Sequence, residues 1–517
     1  MTAPSRGSCA KSFIWKRRKA PVRAFHAAID LGAGSGRVFL GDAAPAVVSV
    51  RELHRFYYGP RLLDGHLRWD MPRLVEGLRV GLHRATEAAR TAGGELLSVG
   101  VDGWGVDYGL LDAEGGLIEE PICYRDERTI GAMESVLARV PRESLFAATG
   151  IQLLPLNTLF QLAAHVRAGL PARAARLLLI PDLCHQWLCG SFVGELTNAS
   201  TTQLLDVRRA SWNDDLFERL GLPRALMPEL VSAGSDIGHL RRDLVTTLDL
   251  PPLRVIAPAT HDTASAVLGT PLKAGWAYIS SGTWSLVGVE RDAPLVDARV
   301  LEANFTNERG AGGTIRFLKN VMGLWLLESC RREWASAGAD QSLDQLLARV
   351  GTPSEPSGLI HPDRPRFFNP RSMTRELTAA LVESRQPVTD DPAVVTKIIL
   401  DSLALRYASV IATLERLTSQ AIEGIHIIGG GAQNAYLNQA TANAAGRPVL
   451  AGPIEATAIG NLLVQAVACG TLAALGDGRR AIDATAALAP RRFDPQHTRE
   501  WKEAMTRYRE LELANGP

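Results

Sequence analysis

The sequence predicts an α/β fold with two domains and a cleft between them. Its 517 residues exceed what a single hydrophobic core usually serves. The pattern strand, small-residue turn, strand occurs twice, at residues 27–40 and again at residues 279–289. Because the two occurrences lie in successive halves of the chain, they indicate a duplicated fold that holds a ligand between its domains.

The first of these turns is rich in glycine. Residues 27–31 form a short apolar run, GAGSGR follows, and Val-Phe-Leu at residues 38–40 indicates a second strand. A dinucleotide-binding G-x-G-x-x-G motif would instead open a helix, and here the last glycine comes one residue too early. Glycines let backbone N–H groups approach an anion, which favours a phosphate-binding turn, although an ordinary hairpin turn fits this segment equally well.

A carboxylate and a second small-residue turn follow in the other half. A strand-like run at residues 255–257 ends in Thr-His-Asp-Thr, residues 260–263, and Ser-Gly-Thr comes at residues 281–283. Asp262 suits a general base held at the end of a strand, or it simply caps the following helix. The hydroxyls and backbone N–H groups of the turn suit phosphate oxygens.

Two further segments carry glycines next to predicted strands. The strand at residues 96–101 ends in DGWGVD, which fits either a sugar pocket or a tight turn around a packed Trp104. Three glycines at residues 429–431 separate the strand at residues 425–428 from a helix opened by Asn434. They would let a flat ligand such as adenine lie against the backbone.

Helix signals are strong in several places. Asp70 and Pro72 open an amphipathic helix with Leu74, Leu78 and Leu82 on one face, and Asp391 caps a helix that runs to about Leu417. A helix is also predicted to begin in the segment 319–325. Residues 130–250 are predicted to be mostly helical. Six polar residues in this region are candidates for the cleft wall, although we expect most of them to be helix caps or surface residues: Asn157, Gln161, Thr197, Asn198, Thr201 and Gln203.

Composition is that of an ordinary soluble globular protein, with 46% hydrophobic and 21% charged residues. Residues 1–23 contain seven basic side chains and no acid, and we expect them to be a disordered leader. No apolar run approaches the length that spans a bilayer, so no membrane helix is expected. The six cysteines, including those at residues 184 and 189, lack zinc-site spacing and indicate a reducing, cytoplasmic location.

Five segments together resemble the FGGY carbohydrate kinases: DLGAGSGR, GVDGWGVD, HDTASAV, SSGTWSLVG and IIGGGAQN. The resemblance covers roughly residues 25–490. It implies two ribonuclease-H-like domains of the actin-like ATPase type, which close over ATP and a sugar. The implied boundaries are residues 24–258 and residues 259–490, with a C-terminal helical tail at residues 491–517.

The resemblance also implies roles for individual residues. Asp262 would be the base that deprotonates the sugar hydroxyl, and His261, Thr263 and Gly105 would contact the sugar. Asp30 would bind Mg²⁺. The positions that would bind the phosphates or the rest of ATP are Ala33, Gly34, Ser35, Gly36, Arg37, Thr283, Asn320, Glu328 and Gly431. Among them, Glu328 stands where the family pattern has glutamine.

Within the family, the segments ELHRF, YRDERT, GIQLLPLNTL, TNASTTQL and KNVMGLWLL are most similar to kinases that phosphorylate L-rhamnulose at O1. A kinase of another sugar, such as L-fuculose or L-xylulose, is the alternative within the family. An actin- or chaperone-like nucleotide switch is the alternative outside it, and a nicotinamide dehydrogenase is disfavoured by the glycine spacing. The expected ligands are a sugar, ATP and Mg²⁺, for a monomer or homodimer without nucleic-acid or membrane partners.

Overall fold

The computed structural model describes residues 23–515, which form two mixed β-sheets flanked by helices. The first sheet has six strands: Arg23–Leu31, Ser35–Ala44, Val47–Tyr57, Gly94–Gly103, Asp236–His239 and Arg254–Ile256. The second sheet has seven strands: Trp276–Ser281, Trp284–Arg291, Thr306–Arg309, Ile315–Met322, Gly424–Ile428, Val449–Ala451 and Arg491–Phe493.

The two sheets share one topology. In each, the first strand pairs antiparallel with the second, and a third strand extends that hairpin on its far side. On the other side of the first strand, two further strands are added in parallel. The duplicated fold is therefore confirmed, and each predicted small-residue turn joins the first two strands of its sheet.

Smaller strand pairs and many helices complete the two domains. The pairs are Pro60–Leu63 with His66–Trp69, Tyr108–Leu111 with Arg176–Leu179, Val193–Glu195 with Glu229–Val231, and Leu205–Asp206 with Ser211–Trp212. The α-helices are Met71–Thr91, Ala132–Leu137, Arg142–Thr149, Thr158–Ala168, Ile180–Cys189, Leu196–Ala199, Asp214–Leu220, Arg242–Thr247, Asp262–Leu268, Ala298–Glu302, Trp325–Ser336, Leu343–Val350, Met373–Glu383, Pro392–Thr418, Ala435–Ala445, Ala456–Ala468, Leu475–Ala484 and Thr498–Asn515. Within residues 23–515, no helix is both long and apolar enough to cross a membrane.

Locally determined elements lie where the sequence predicts them. The side chain of Asp70 caps helix Met71–Thr91 by accepting a hydrogen bond from the Arg73 N–H, and the predicted leucine face is buried. Asp391 caps helix Pro392–Thr418 in the same way. Asn434 caps helix Ala435–Ala445, which confirms the helix predicted after the three glycines.

Two predictions about secondary structure and burial are wrong. Lys319 and Asn320 belong to strand Ile315–Met322, and the helix starts only at Trp325, because the apolar run there pairs with strand Trp284–Arg291. The six polar side chains of the 130–250 region are all buried, so none of them is surface; Asn157 occupies the N-cap position of helix Thr158–Ala168, and Asn157 and Thr201 line the interdomain cleft. They bond to backbone and to one another; for example, Asn157 donates to Gln203.

The predicted domain limits fall at identifiable places. The boundary at residues 258/259 lies in the loop between strand Arg254–Ile256 and helix Asp262–Leu268. The predicted leader lies outside the described residues except for Arg23, which begins the first strand. The predicted tail supplies the edge strand Arg491–Phe493 and a helix whose Trp501 and Tyr508 are fully buried.

Helix Ala456–Ala468 connects the two halves. It follows six of the seven strands of the second sheet in sequence but packs on the first sheet, where Gln465 donates to the Ala27 carbonyl and Asn461 to the Gly100 carbonyl. The same helix crosses helix Asp262–Leu268 at two glycines, Gly460 and Gly269. At this crossing the two backbones touch without intervening side chains.

The glycine crossing should tolerate no methyl group. A Cβ on Gly460 would lie 1.8 Å from the Ser265 carbonyl oxygen, so Gly460→Ala must push the two helices apart. We expect it to lower the free energy of unfolding by about 1–3 kcal/mol, as overpacked cores do. Urea unfolding followed by circular dichroism measures this. Gly59→Ala is the control, because nothing lies within 4 Å of its Cβ; equal midpoints for both variants would contradict the prediction.

Candidate active site

A cleft of about 410 Å³ runs between the two domains. Its walls come from both sheets and from the start of helix Asp262–Leu268. The lining residues of the first domain that follow strand Gly94–Gly103, here called the Trp104 end, are Trp104, Gly105, Val106, Tyr124, Ile151, Gln152, Leu154, Leu156, Asn157 and Thr201. The lining residues of the second hairpin turn and the three-glycine segment, here called the glycine end, are Ser280, Ser281, Gly282, Thr283, Gly429, Gly430 and Gln433.

The two hairpin turns both reach this cleft. In the first turn, Gly34 has φ +149°, a backbone conformation that favours glycine, while Ala33 and Ser35 line the cleft. In the second, Gly282 donates its N–H to the Trp284 carbonyl at 2.9 Å and Thr283 faces the cleft. The turns thus offer small residues and hydroxyls from two opposite sheets.

Asp30 lies at the end of the first strand, beside the first turn. Its Oδ2 accepts a hydrogen bond from Arg37, which also forms an ion pair with Glu455 just before helix Ala456–Ala468. Among residues 23–515, no group of three or more His, Cys, Asp or Glu side chains is placed to hold a metal ion. A cation at Asp30 would therefore need most of its oxygen ligands from a bound phosphate and water.

Asp262 is the first residue of its helix and faces the cleft. Its Oδ1 accepts hydrogen bonds from the N–H and the hydroxyl of Thr263, and its side chain is 30% exposed. Burial, together with the negative charge of Asp30, raises the pKa of Asp262 to about 7. The N-cap of the helix is His261, so the alternative that Asp262 is the capping residue is wrong.

A buried arginine, Arg316, contacts the His261 ring at Nδ1. Nη2 of Arg316 lies 2.8 Å from Nδ1 of His261 and 3.1 Å from Oε2 of Glu308. On its other side, Nε2 of His261 lies 3.6 Å from Oδ1 of Asp262. The imidazole therefore lies between a guanidinium and the cleft carboxylate.

The Trp104 end is organised by a buried carboxylate, Asp107. Its Oδ2 accepts from the indole N–H groups of Trp69 at 2.7 Å and Trp104 at 3.0 Å, and its Oδ1 accepts from the Gln161 amide at 3.0 Å. The two indoles pack with ring centroids 4.5 Å apart. Gly105 follows directly, and a Cβ there would lie 2.8 Å from Oγ1 of Thr201. The segment is both a packed-tryptophan turn and a cleft wall.

Asn320 joins the walls of the two domains. Its N–H and its side-chain amide both donate to Oε1 of Gln152, at 2.8 and 3.1 Å. Gln152, Glu308 and Asn320 all line the cleft. This position puts Asn320 beside residues of the Trp104 end.

The three glycines after strand Gly424–Ile428 have different reasons to be there. Gly429 has φ +78°, and a Cβ on Gly431 would lie 2.0 Å from Oγ of Ser281. Gly430 has nothing within 4 Å of its Cβ position and lines the cleft. Two glycines are thus required by the turn itself, and only the middle one leaves open space.

Comparison with known proteins identifies the family. A family model described as the N-terminal domain of the FGGY family of carbohydrate kinases matches residues 25–269, and the C-terminal domain model matches residues 277–469. The chain belongs to the FGGY family of carbohydrate kinases. The kinase and a rhamnulokinase of Bacillus subtilis (strain 168) are 40% identical over 459 residues, 88% of this chain and 93% of that protein. A rhamnulokinase of Enterococcus faecalis (strain ATCC 700802 / V583) is 42% identical over 449 residues, 86% and 89% of the two chains.

Solved structures show the same fold. A ligand-bound xylulose kinase from Lactobacillus acidophilus superposes with a TM-score of 0.77 at 13% identity, covering 95% of this chain and 98% of that chain. Plasmodium falciparum glycerol kinase with ADP gives 0.73 at 12% identity, covering 96% and 99%. The predicted fold of two ribonuclease-H-like, actin-like ATPase domains is confirmed.

The structure gathers most of the predicted site residues of the kinase in one cleft. Asp30, Ala33, Ser35, Arg37, Gly105, His261, Asp262, Thr263, Thr283 and Asn320 all line it. Three predicted glycines are not among those that line it: Gly34 in the first hairpin turn, Gly36 in strand Ser35–Ala44 directly after that turn, and Gly431 in the helical turn Gly430–Gln433. Glu328 is not among the lining residues; it lies in the first turn of helix Trp325–Ser336, is 54% exposed and pairs with Arg331 at 2.9 Å.

Sequence reasoning did not single out Glu308 or Arg316. Both are buried charges on neighbouring antiparallel strands, where residues 308 and 316 are directly paired. Gln152 was predicted only within a longer family-like segment. A signal was present for Arg316, since it stands between the apolar residues Ile315 and Phe317, and an arginine is rarely buried without a specific partner.

Arg125 links the two domains next to the cleft residue Tyr124. Its guanidinium carbon lies 3.8 Å from the ring centroid of Trp325 and 5.1 Å from that of Phe368, and it donates to the Phe368 carbonyl. Tyr124 accepts a hydrogen bond from the Trp284 indole. Arg125 belongs to the first domain, and three of the rings it approaches, including Trp284, belong to the second.

Replacing the Asp107 carboxylate should loosen the Trp104 end. In Asp107→Asn the amide oxygen can accept from the indoles only if its NH₂ group faces the Gln161 amide donor, so two donors oppose each other in a buried place and Gln161 keeps only its backbone acceptors. We expect the free energy of unfolding to fall by about 1–3 kcal/mol and the tryptophan emission to shift. Urea unfolding monitored by fluorescence measures both. Asp112→Asn is the control, since that side chain accepts a single turn N–H; equal losses in both variants would argue against the prediction.

Proposed function

We propose that this kinase transfers the γ-phosphoryl group of ATP to O1 of L-rhamnulose, giving L-rhamnulose 1-phosphate. The relatives named rhamnulokinase, at 38–42% identity over 86–93% of the chain, support this substrate. The observation that carries the proposal is Asp262, a cleft carboxylate between the two hairpin turns whose pKa is raised to about 7.

Asp262 supplies the general base. Its carboxylate takes the proton of the O1 hydroxyl while O1 bonds to the γ-phosphorus and the bond from that phosphorus to the ADP oxygen breaks. A base with a pKa near the working pH combines a sufficient deprotonated fraction with useful basicity. Phosphoryl transfer passes through a loose transition state, so the other residues act mainly by alignment and charge.

The sugar would lie at the Trp104 end. Gly105, His261 and Thr263 would contact it, as the family resemblance implies. Asn320 belongs with them rather than with the nucleotide, because it bonds to Gln152 beside the Trp104 wall. Ile151, Leu154 and Leu156 add an apolar surface there, which suits the methyl group of a 6-deoxyketose.

The nucleotide would lie along the two turns and the glycine end. Backbone and hydroxyl groups of residues 33–37 and of Thr283 would bind the phosphates. Gly431 packs closely against Ser281, whereas Gly430 has open space beside its backbone, and adenine would lie there. Glu328 would contact the nucleotide only from the rim, since its side chain lies outside the cleft lining.

Mg²⁺ would bind beside the phosphates. Asp30 fits as its protein ligand, because Oδ1 accepts no hydrogen bond from residues 23–515 while Arg37 occupies Oδ2. When bound, the ion would neutralise phosphate charge during transfer. Arg37 contributes positive charge of its own at the same place.

Location and assembly follow from less direct observations. The five cysteines at positions 123, 184, 189, 330 and 469 are free thiols, which supports a reducing compartment such as the cytoplasm. Monomer or homodimer stays a prediction, as do the domain limits at residues 24–258 and 259–490.

Removing the base should abolish turnover without abolishing nucleotide binding. We expect Asp262→Asn to lower kcat about 10²- to 10⁴-fold, the usual contribution of a general base. The measurement is ADP release from Mg-ATP with L-rhamnulose, L-fuculose, L-xylulose, D-xylulose and glycerol, alongside calorimetric ATP binding. Asp249→Asn is the control, being 92% exposed. Faster turnover of another sugar would replace the substrate, and ADP release independent of sugar would favour the nucleotide switch.

Activity should depend on the protonation of Asp262. Because only the carboxylate accepts a proton, kcat/KM for the sugar should rise about tenfold per pH unit below pH 7 and level off above it. Asp30 raises this pKa, so Asp30→Asn should move the midpoint to lower pH whatever its effect on the maximal rate. A pH–rate series with excess coupling enzymes measures both midpoints; identical midpoints would exclude the charge coupling.

A further inference from the structure

Arg316 is a large charged side chain that is fully buried close to the cleft. It lies in strand Ile315–Met322 with no exposed surface, and its Nε donates to the Arg309 carbonyl at 3.1 Å. Its Nη2 lies 2.8 Å from Nδ1 of His261 and 3.1 Å from Oε2 of Glu308. Arg316 does not itself line the cleft, so it acts on the reaction through its contacts with His261 and Glu308 and through its charge, which opposes the rise in the pKa of Asp262.

The chemistry of this contact fixes the protonation state of His261. A guanidinium has five N–H donors and no acceptor, so Nδ1 of His261 must accept the hydrogen bond. An imidazole whose Nδ1 accepts is neutral and carries its proton on Nε2. Nε2 is the nitrogen on the cleft side, 3.6 Å from Oδ1 of Asp262.

We propose that Arg316 is a positioning residue that holds His261 as the neutral Nε2–H tautomer, so that the ring donates a hydrogen bond to the acceptor sugar at Asp262. The statement that the group receiving this hydrogen bond belongs to a sugar rests on the proposed function, whereas the assignment of the tautomer does not. In this arrangement His261 orients a sugar oxygen and Asp262 removes the proton, and the two side chains do not exchange roles.

The charges around His261 agree with a neutral ring. Burial and the positive charge of Arg316 hold the pKa of His261 well below its ordinary value. The facing acids are Asp262 on its own helix and Glu308 on strand Thr306–Arg309, while the buried Glu195 bonds to the neighbouring Thr260. A protonated His261 would lose its acceptor nitrogen and set two cations against each other.

Glu308 is not the partner of Nδ1. Its Oε2 lies 3.6 Å from that nitrogen, beyond hydrogen-bond length, and closer to Nη2 of Arg316. Burial raises the pKa of Glu308, and the nearby Arg316 and the side chain of Asn320 oppose that rise. Glu308 therefore pairs with Arg316, and Arg316 alone of the two donates to Nδ1 of His261.

The tautomer can be read directly in the free protein. Uniform ¹⁵N labelling of histidine, with His261 assigned from the His261→Gln spectrum, distinguishes a protonated from an unprotonated Nδ1. We expect the wild type to show the Nε2–H tautomer and no titration of His261 from pH 5 to pH 9. Arg316→Met should give a mixture of tautomers and a titrating ring. An Nδ1–H or cationic ring in the wild type would overturn the proposal.

Kinetics separate positioning from general stability. We expect Arg316→Met to lower kcat/KM for the sugar about 10- to 100-fold, as for one misdirected hydrogen bond, with KM for ATP unchanged. Arg316→Lys, which keeps a charged donor, should restore part of the loss. Arg309→Met is the matched control: it lies in the paired strand and donates only to the Val207 carbonyl.

Arg316→Met leaves Glu308 as an unpaired buried acid, so the double variant Arg316→Met, Glu308→Gln is made alongside it. If both variants keep the Nε2–H tautomer and the wild-type kcat/KM, Arg316 does not position His261. A chain that phosphorylates none of the tested sugars but shows the Arg316-dependent tautomer would refute the proposed function while supporting this inference. If neither variant folds, the wild-type spectrum alone decides the tautomer.

Discussion

The arrangement of the site depends on the mutual repulsion of three neighbouring carboxylates, of which Asp30 and Asp262 line the cleft and Asp102 is fully buried. Asp30 and Asp102 are paired on adjacent parallel strands, and Asp262 lies close enough for its pKa to respond to Asp30. Arg37 forms an ion pair with Asp30. Burial and the neighbouring Asp30 raise the pKa of Asp102 well above its ordinary value, and Asn461 donates to its Oδ2. Asp30 also raises the pKa of Asp262, which favours proton uptake by that carboxylate.

Elements that depend on neighbours in sequence could be predicted. The cap at Asp70, the cap at Asp391 and both small-residue turns follow from local chemistry, and their residues lie where that chemistry puts them. The duplicated hairpin was sufficient to indicate two domains around one ligand, because each half repeats the same signal. Asp262 was also predictable, since the end of a strand followed by the first turn of a helix directs a side chain to a cleft.

Elements that depend on distant partners could not be predicted. The pairing of Arg316 with His261 joins residues 55 positions apart, and that of Gln152 with Asn320 joins residues 168 apart. The apolar segment after Lys319 suited a helix by composition, but pairing with strand Trp284–Arg291 outweighed that preference. The composition of the polar residues between positions 130 and 250 likewise predicted an exposed surface, but hydrogen bonds to residues distant in sequence allow these side chains to be buried.

Helix Ala456–Ala468 also governs how the chain can be made. It packs on the first sheet, yet it begins 200 residues after that sheet's last strand, Arg254–Ile256. Domains generally fold in order as they leave the ribosome, N-terminal first. Here the buried amides Asn461 and Gln465 are missing from the face they complete until six of the seven strands of the second sheet have been synthesised. That face of the first sheet therefore stays uncovered while most of the second domain is being made.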